Sequence, residues 1–141
     1  MNITTWKVTY NGHSAMSFKQ MFPEQYILHY YVGRITIPKI GQIFCFRKPG
    51  NLVEFVENQM LNRFYHPFQE VIIMKGTAYN ASLPRFVNND YCREEIEYFW
   101  KLKKAHRKML GASFARTGTV LCDKFKPTKR YTWEEFVNEA F

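Results

Sequence analysis

The stretch Tyr26–Phe46, YILHYYVGRITIPKIGQIFCF, constrains the fold more than any other part of the chain. Strand-like runs are separated in it by glycine and proline breaks: Tyr26–Tyr31, Gly33, Ile35–Ile37 ahead of Pro38, Gly41, and then the apolar Gln42–Phe46. In the first run Tyr26, Leu28 and Tyr30 alternate with Ile27, His29 and Tyr31, the period of a strand. Aromatic and β-branched residues dominate, as a pleated, half-buried surface requires. Pro38 holds Ile37 out of the helical region. The reading is of a sheet organised on these runs, with the rest of the chain as its cover.

The flanking sequence supplies more strands and the helices. Thr4–Tyr10 alternates, with Trp6, Val8 and Tyr10 on one face and Lys7 and Thr9 on a solvated one. Asn11-Gly12 is a hairpin dipeptide, because both central residues of a type I′ turn need positive φ; Ser14–Phe18 is the expected return. Asn51 is a candidate cap for an amphipathic helix through Leu52, Val53, Phe55, Val56 and Met60. Phe68–Met74 reads as a strand ended by Lys75-Gly76, and Thr77–Asn89 as a long loop with an extended piece at Arg85–Val87. A basic helix is expected over Tyr91–Leu110, capped by Asn89 or Asp90, supported by a Glu97–Lys101 pair and stopped by Gly111. Thr119–Cys122 is a short strand, followed by an extended piece that Pro127 ends. Thr132-Trp133-Glu134-Glu135 is a capping box opening a last helix. The sum is one α+β domain over residues 1–141, with a mostly antiparallel sheet of five or six strands and about three helices.

Composition narrows the class. No apolar run reaches the ~18 residues of a membrane span, and the N-terminus lacks a basic and apolar leader pattern. Cys45, Cys92 and Cys122 are odd in number and far apart, which fits reduced core thiols. An intracellular, non-secreted protein without membrane attachment is expected. The formal net charge is +8. Between Arg93 and Arg130 eleven Lys and Arg face only Glu94, Glu95, Glu97 and Asp123, a surplus of seven. A field of that sign draws in polyanions: nucleic acid or an acidic protein.

Few motifs carry chemistry. His13, His29, His66 and His106 show no metal-ligand spacing, and no cofactor or metal is expected from them. There is no nucleophile elbow, dinucleotide fingerprint or P-loop. Glu94-Glu95 and Glu134-Glu135 diverge by ~100° on a helix and do not converge on one atom. The sharpest signal is the basic helix. Lys101, Lys104, Arg107 and Lys108, with Trp100 beside them, supply phosphate contacts and a ring for stacking on unpaired bases. Arg34 and Lys39, in the turns around Gly33 and Gly41, form a second, anion-binding group.

Tyr31-Val32-Gly33, Pro38-Lys39-Ile40-Gly41 and Ile43-Phe44-Cys45-Phe46, followed by a helix and later by Gly118-Thr119-Val120-Leu121-Cys122-Asp123, resemble small accessory proteins of phages and large DNA viruses. The resemblance spans about half the chain. It implies a viral or phage origin and an accessory role, without a catalytic set to carry over. The leading expectation is a non-enzymatic, basic binding module for a polyanionic or acidic partner, nucleic acid before acidic protein. The alternatives are a virion or host-protein interaction protein using Tyr65, Phe68 or Trp133, and a nucleotide-binding or ADP-ribosyltransferase-like domain.

Overall fold

Two long strands, β1 (Ile3–Tyr10) and β4 (Val71–Tyr79), pair antiparallel along all of β1 and form the middle of the main sheet. β3 (Ile43–Phe46) and β7 (Thr119–Cys122) extend the sheet on one side, and β8 (Lys124–Thr132) closes the other, in the order β7-β3-β1-β4-β8. All neighbours are antiparallel. The short β2 (His13–Ser14) folds back on β1. β5 (Phe86–Val87) and β6 (Ser113–Phe114) form a separate two-stranded sheet. The helices are α1 (Pro49–Phe55), α2 (Arg93–Lys101) and α3 (Trp133–Ala140). The computed structural model describes residues 1–14, 24–57, 71–84, 86–87, 93–102, 113–115 and 117–140. The chain is therefore α+β with an antiparallel sheet, as its pattern of runs and turns implies. No helix among the described residues is long and apolar enough to cross a membrane.

The sheet is not organised on Tyr26–Phe46. Within that stretch only Ile43–Phe46 joins the ladder. Glu24–Tyr26 is a single 3-10 turn, and His29 and Thr36 make isolated bridges, to His13 and Phe125. Gly33 and Gly41 both have positive φ, so the run is broken into turns. Its alternating rings are cover: Leu28 and Tyr30 pack with Ile43, Cys45, Ile72, Met74, Cys122 and Phe125. The other face buries Val8, Phe46, Val71, Ile73 and Tyr131 under Leu52 and Val56 and under Phe136 of α3.

This double cover changes the reading of β1. Its second face is not solvated: Thr9 is fully buried, and its hydroxyl donates to Ile72 O at 2.8 Å. Lys7 is half-buried there. Its ammonium donates to Phe44 O at 2.7 Å and lies 5.9 Å from the centre of the Tyr30 ring. Burial lowers its pKa.

Two breaks read from the sequence do not break anything. β4 runs through Lys75-Gly76 to Tyr79, so Thr77–Tyr79 is strand and not loop. Gly76 sits at a register irregularity opposite β8, where an added Cβ would meet Lys126 O at 2.3 Å. The glycine admits a close backbone approach instead of ending the strand. Pro127 likewise lies inside β8, which a proline tolerates because β8 has a strand partner on one side only. Pro49-Gly50, just past the end of β3, opens α1, with Lys48 as its cap and proline in the first turn. Both rims of the sheet are bridged. Thr36 and Phe125 exchange amide bonds of 2.8 and 3.1 Å, Gly33 donates to Pro127 O, and Ser82 and Leu121 exchange two bonds of 2.8 Å.

Candidate nucleic-acid interface

The register of β1, β4 and β8 writes out one face of the sheet row by row. Val8, Ile73 and Tyr131 form a row beneath the helices; the next holds Trp6, Lys75 and Lys129; the next Thr4, Thr77 and Lys126; and the last pairs Tyr79 with Lys124. Directly opposed residues of an antiparallel pair share a face, so all of these point the same way. Burial falls along this series. Ile73 is fully buried, Lys75, Thr77 and Tyr79 are half-buried, and Thr4, Lys124 and Lys129 are exposed. The half of β4 under α1 and α3 is core, whereas its second half alternates buried and half-buried.

Lys75, Lys124, Lys126 and Lys129 therefore share a sheet face with Trp6 and Tyr79, with Lys124 and Lys129 exposed on it. Alternate residues on a strand are spaced by roughly 6.8 Å, and neighbouring strands by roughly 4.8 Å, so the ammonium groups tile a surface instead of meeting at a point. Lys75 and Lys129 stand directly opposite each other. Like charges so placed repel. Each is partly satisfied by another group. Lys75 Nζ sits 5.7 Å from the centre of the Trp6 ring, and Lys129 sits 4.8 Å from Tyr131 and 3.2 Å from Glu139. The bond and charge of Glu139 raise the Lys129 pKa. The other neighbouring acid, Asp123, is held off the strand by Gln42 and Asn80 at 2.9 and 3.0 Å.

The residues singled out from the sequence are distributed differently. Lys101 is exposed at the end of α2. Trp100 is half-buried, not displayed: its ring stands over Gly41, where an added Cβ would lie 2.0 Å from it, and it packs on Phe44 and Phe99. Lys104, Arg107 and Lys108 lie outside the described residues, as do Tyr65 and Phe68. Trp133 is half-buried against Phe136. Glu97, expected to pair with Lys101, accepts a hydrogen bond from the Tyr26 hydroxyl. Arg34 and Lys39 are exposed, but the amides of Gly33 and Arg34 donate to Pro127 O and Tyr31 O, so those two turn amides are committed. Arg34 flanks the outer edge of β8 and adds its charge to that side of the sheet.

Other clusters have different chemistry. Cys45 and Cys122 are buried free thiols with their sulfurs 3.9 Å apart. The hydrogen bond with Cys45, together with burial, holds the Cys122 thiol protonated well above its ordinary range. Both side chains pack in the core of the second face. His13 and His29 come into ring contact, which sequence spacing did not reveal. No group of three or more His, Cys, Asp and Glu able to hold a metal occurs among the described residues. The β4–β8 lysines were missed because β8 was read as a short piece cut by Pro127; the alternation of Lys124, Lys126 and buried Phe125 is the signal that would have found them.

Comparison with protein-family models, with curated proteins and with solved structures finds no match to the chain.

Proposed function

We propose that the protein is a non-enzymatic binding module that holds single-stranded nucleic acid across the lysine-lined face of β1, β4 and β8. The observation that carries this reading is the lysine-lined face itself: four lysines and two aromatic residues in adjoining rows, with Glu139 the acid paired to Lys129 among the described residues. Lysines supply phosphate contacts, and half-exposed rings stack on unpaired bases. No arginine fork stands in the rows, so recognition is of backbone and ring rather than of base edges. An accessory role, like that of the viral and phage proteins the sequence resembles, suits a module of this kind.

Fluorescence anisotropy with a labelled oligothymidine tests it. The wild-type chain binds, and the double variant Lys124→Glu, Lys126→Glu binds at least ~10-fold more weakly. Lys101→Glu, on α2, serves as the comparison arm. Absence of binding at low salt, or an equal loss from Lys101→Glu alone with none from the β8 pair, would overturn the assignment to this face.

A second reading, docking of a protein partner, draws on one feature. Tyr31, Val32, Ile35 and Ile37 are all about half exposed or more, along the segment that flanks β8. A partner covering that strip would lose affinity on Ile35→Ser, Ile37→Ser substitution, while oligonucleotide binding would be retained.

A further inference from the structure

The Asn11-Gly12 turn does more than reverse the chain. Asn11 and Gly12 have φ of 54° and 82°, and the turn sets His13 opposite Tyr10 on β1. On its other side His13 forms an isolated antiparallel bridge with His29. Residues 16 apart in sequence are thus direct cross-strand neighbours, with ring centroids 4.5 Å apart at 68°. The backbones on both sides are held. Tyr30 N donates to Gly12 O at 2.9 Å, and the Thr36 hydroxyl donates to His29 O at 2.9 Å. The His29 ring is stacked on Tyr31, at 6.5 Å and 13°.

We propose that His13 and His29 chelate a borderline transition-metal ion of the zinc, nickel or copper class, with water filling the remaining coordination positions. With metal–nitrogen distances of about 2.0–2.1 Å and a tetrahedral angle, two imidazole centroids stand roughly 5 Å apart. The observed separation of 4.5 Å is somewhat shorter, so the rings must turn out of their edge-to-face contact for a nitrogen of each to face one ion. His13 is half-buried and His29 exposed, which leaves a path for the ion and its waters. A ligating imidazole must be neutral.

Among the described residues Arg130 comes near the turn: its guanidinium would lie 4.0 Å from a Cβ at Gly12. Its charge opposes the ion, and two ligands give less affinity than three, so binding in the range of micromolar and not nanomolar dissociation constants is expected. The bound ion would staple the β1–β2 hairpin to the segment that covers the second face of the sheet.

The test uses the whole chain with zinc chloride as the probe, followed by calorimetry and by NMR of the imidazole nitrogens at neutral pH. The expected result is one ion per chain, shifts confined to the His13 and His29 ring nitrogens, and a fall of at least ~10-fold in affinity for His13→Gln and for His29→Gln. Failure to bind at about millimolar zinc, or binding that shifts other histidines and leaves these two rings unchanged, would overturn the proposal. The ring-nitrogen measurement on the wild-type chain decides the matter even if a variant fails to fold.

Discussion

Single side chains here are placed by what stands opposite them, and Gly41 is the sharpest case. Its φ of 68° and the Trp100 ring above it both exclude a side chain. Gly41→Ala combines left-handed backbone strain with overpacking and should cost about 2–4 kcal/mol, read from denaturant midpoints at unchanged m-value. Lys7 is the opposite case, a charge partly withdrawn from water. Its folded pKa lies below its unfolded value, so between the two the unfolded chain binds more protons and stability rises with pH. Lys7→Met should change stability by less than about 1.5 kcal/mol near neutrality, because an apolar replacement for a desolvated charge is often close to neutral. As the pH is raised toward 10.5 the comparison should move in favour of the wild type. A difference that does not change with pH would show that Lys7 remains fully hydrated in the fold.

Elements were legible where local chemistry decides them and illegible where a neighbour does. The hairpin at Asn11-Gly12 and the capping box at Thr132 are local, and both are present: Thr132 N donates to Glu135 Oε1 at 2.9 Å, and Glu135 N donates to the Thr132 hydroxyl at 3.2 Å. Thr132→Ala should cost about 1 kcal/mol, measured as a fall in Tm. The backbone bond from Thr132, and then its side chain, lowers the Glu135 pKa. Its stabilising effect is therefore complete above the ordinary glutamate range and is lost as pH falls through the depressed value, so the penalty of Glu135→Gln should shrink in acid. Gly76 and Pro127 mislead because a strand's tolerance for them depends on which partner lies alongside. No pattern within β4 alone announces the close approach of Lys126 O. The ring-rich Tyr26–Tyr31 run misleads for the related reason that alternation marks a half-buried surface, whether it is a ladder strand or a lid over one. The candidate interface was legible only in part: the alternation of Lys124, Phe125 and Lys126 marks β8, but Lys75 and Lys129 are far apart in the chain and meet only through the register.

At the scale of the whole molecule the charge surplus acquires a location. Lys75, Lys124, Lys126 and Lys129 gather on a sheet face, with Arg34 beside its rim, while Lys104, Arg107 and Lys108 of the expected basic helix lie outside the described residues. Four neutralised phosphates on a single strand imply a log–log salt slope near −2.8, hence about a 50-fold loss of affinity between roughly 50 and 200 mM salt. Removing Lys124 and Lys126 should reduce the slope by about half. A slope that ignores those substitutions would move the contact elsewhere on the chain.

The bridges along the two rims have a consequence for how such a chain behaves in a crowded solution. A sheet rich in valine, isoleucine and aromatic residues invites sideways growth by a second molecule wherever backbone donors and acceptors are left open. Thr36 occupies that position beside Phe125, and Ser82 beside Leu121. Short loop segments thus act as terminators of polymerisation, and cutting either one loose would convert a discrete particle into a seed for fibres.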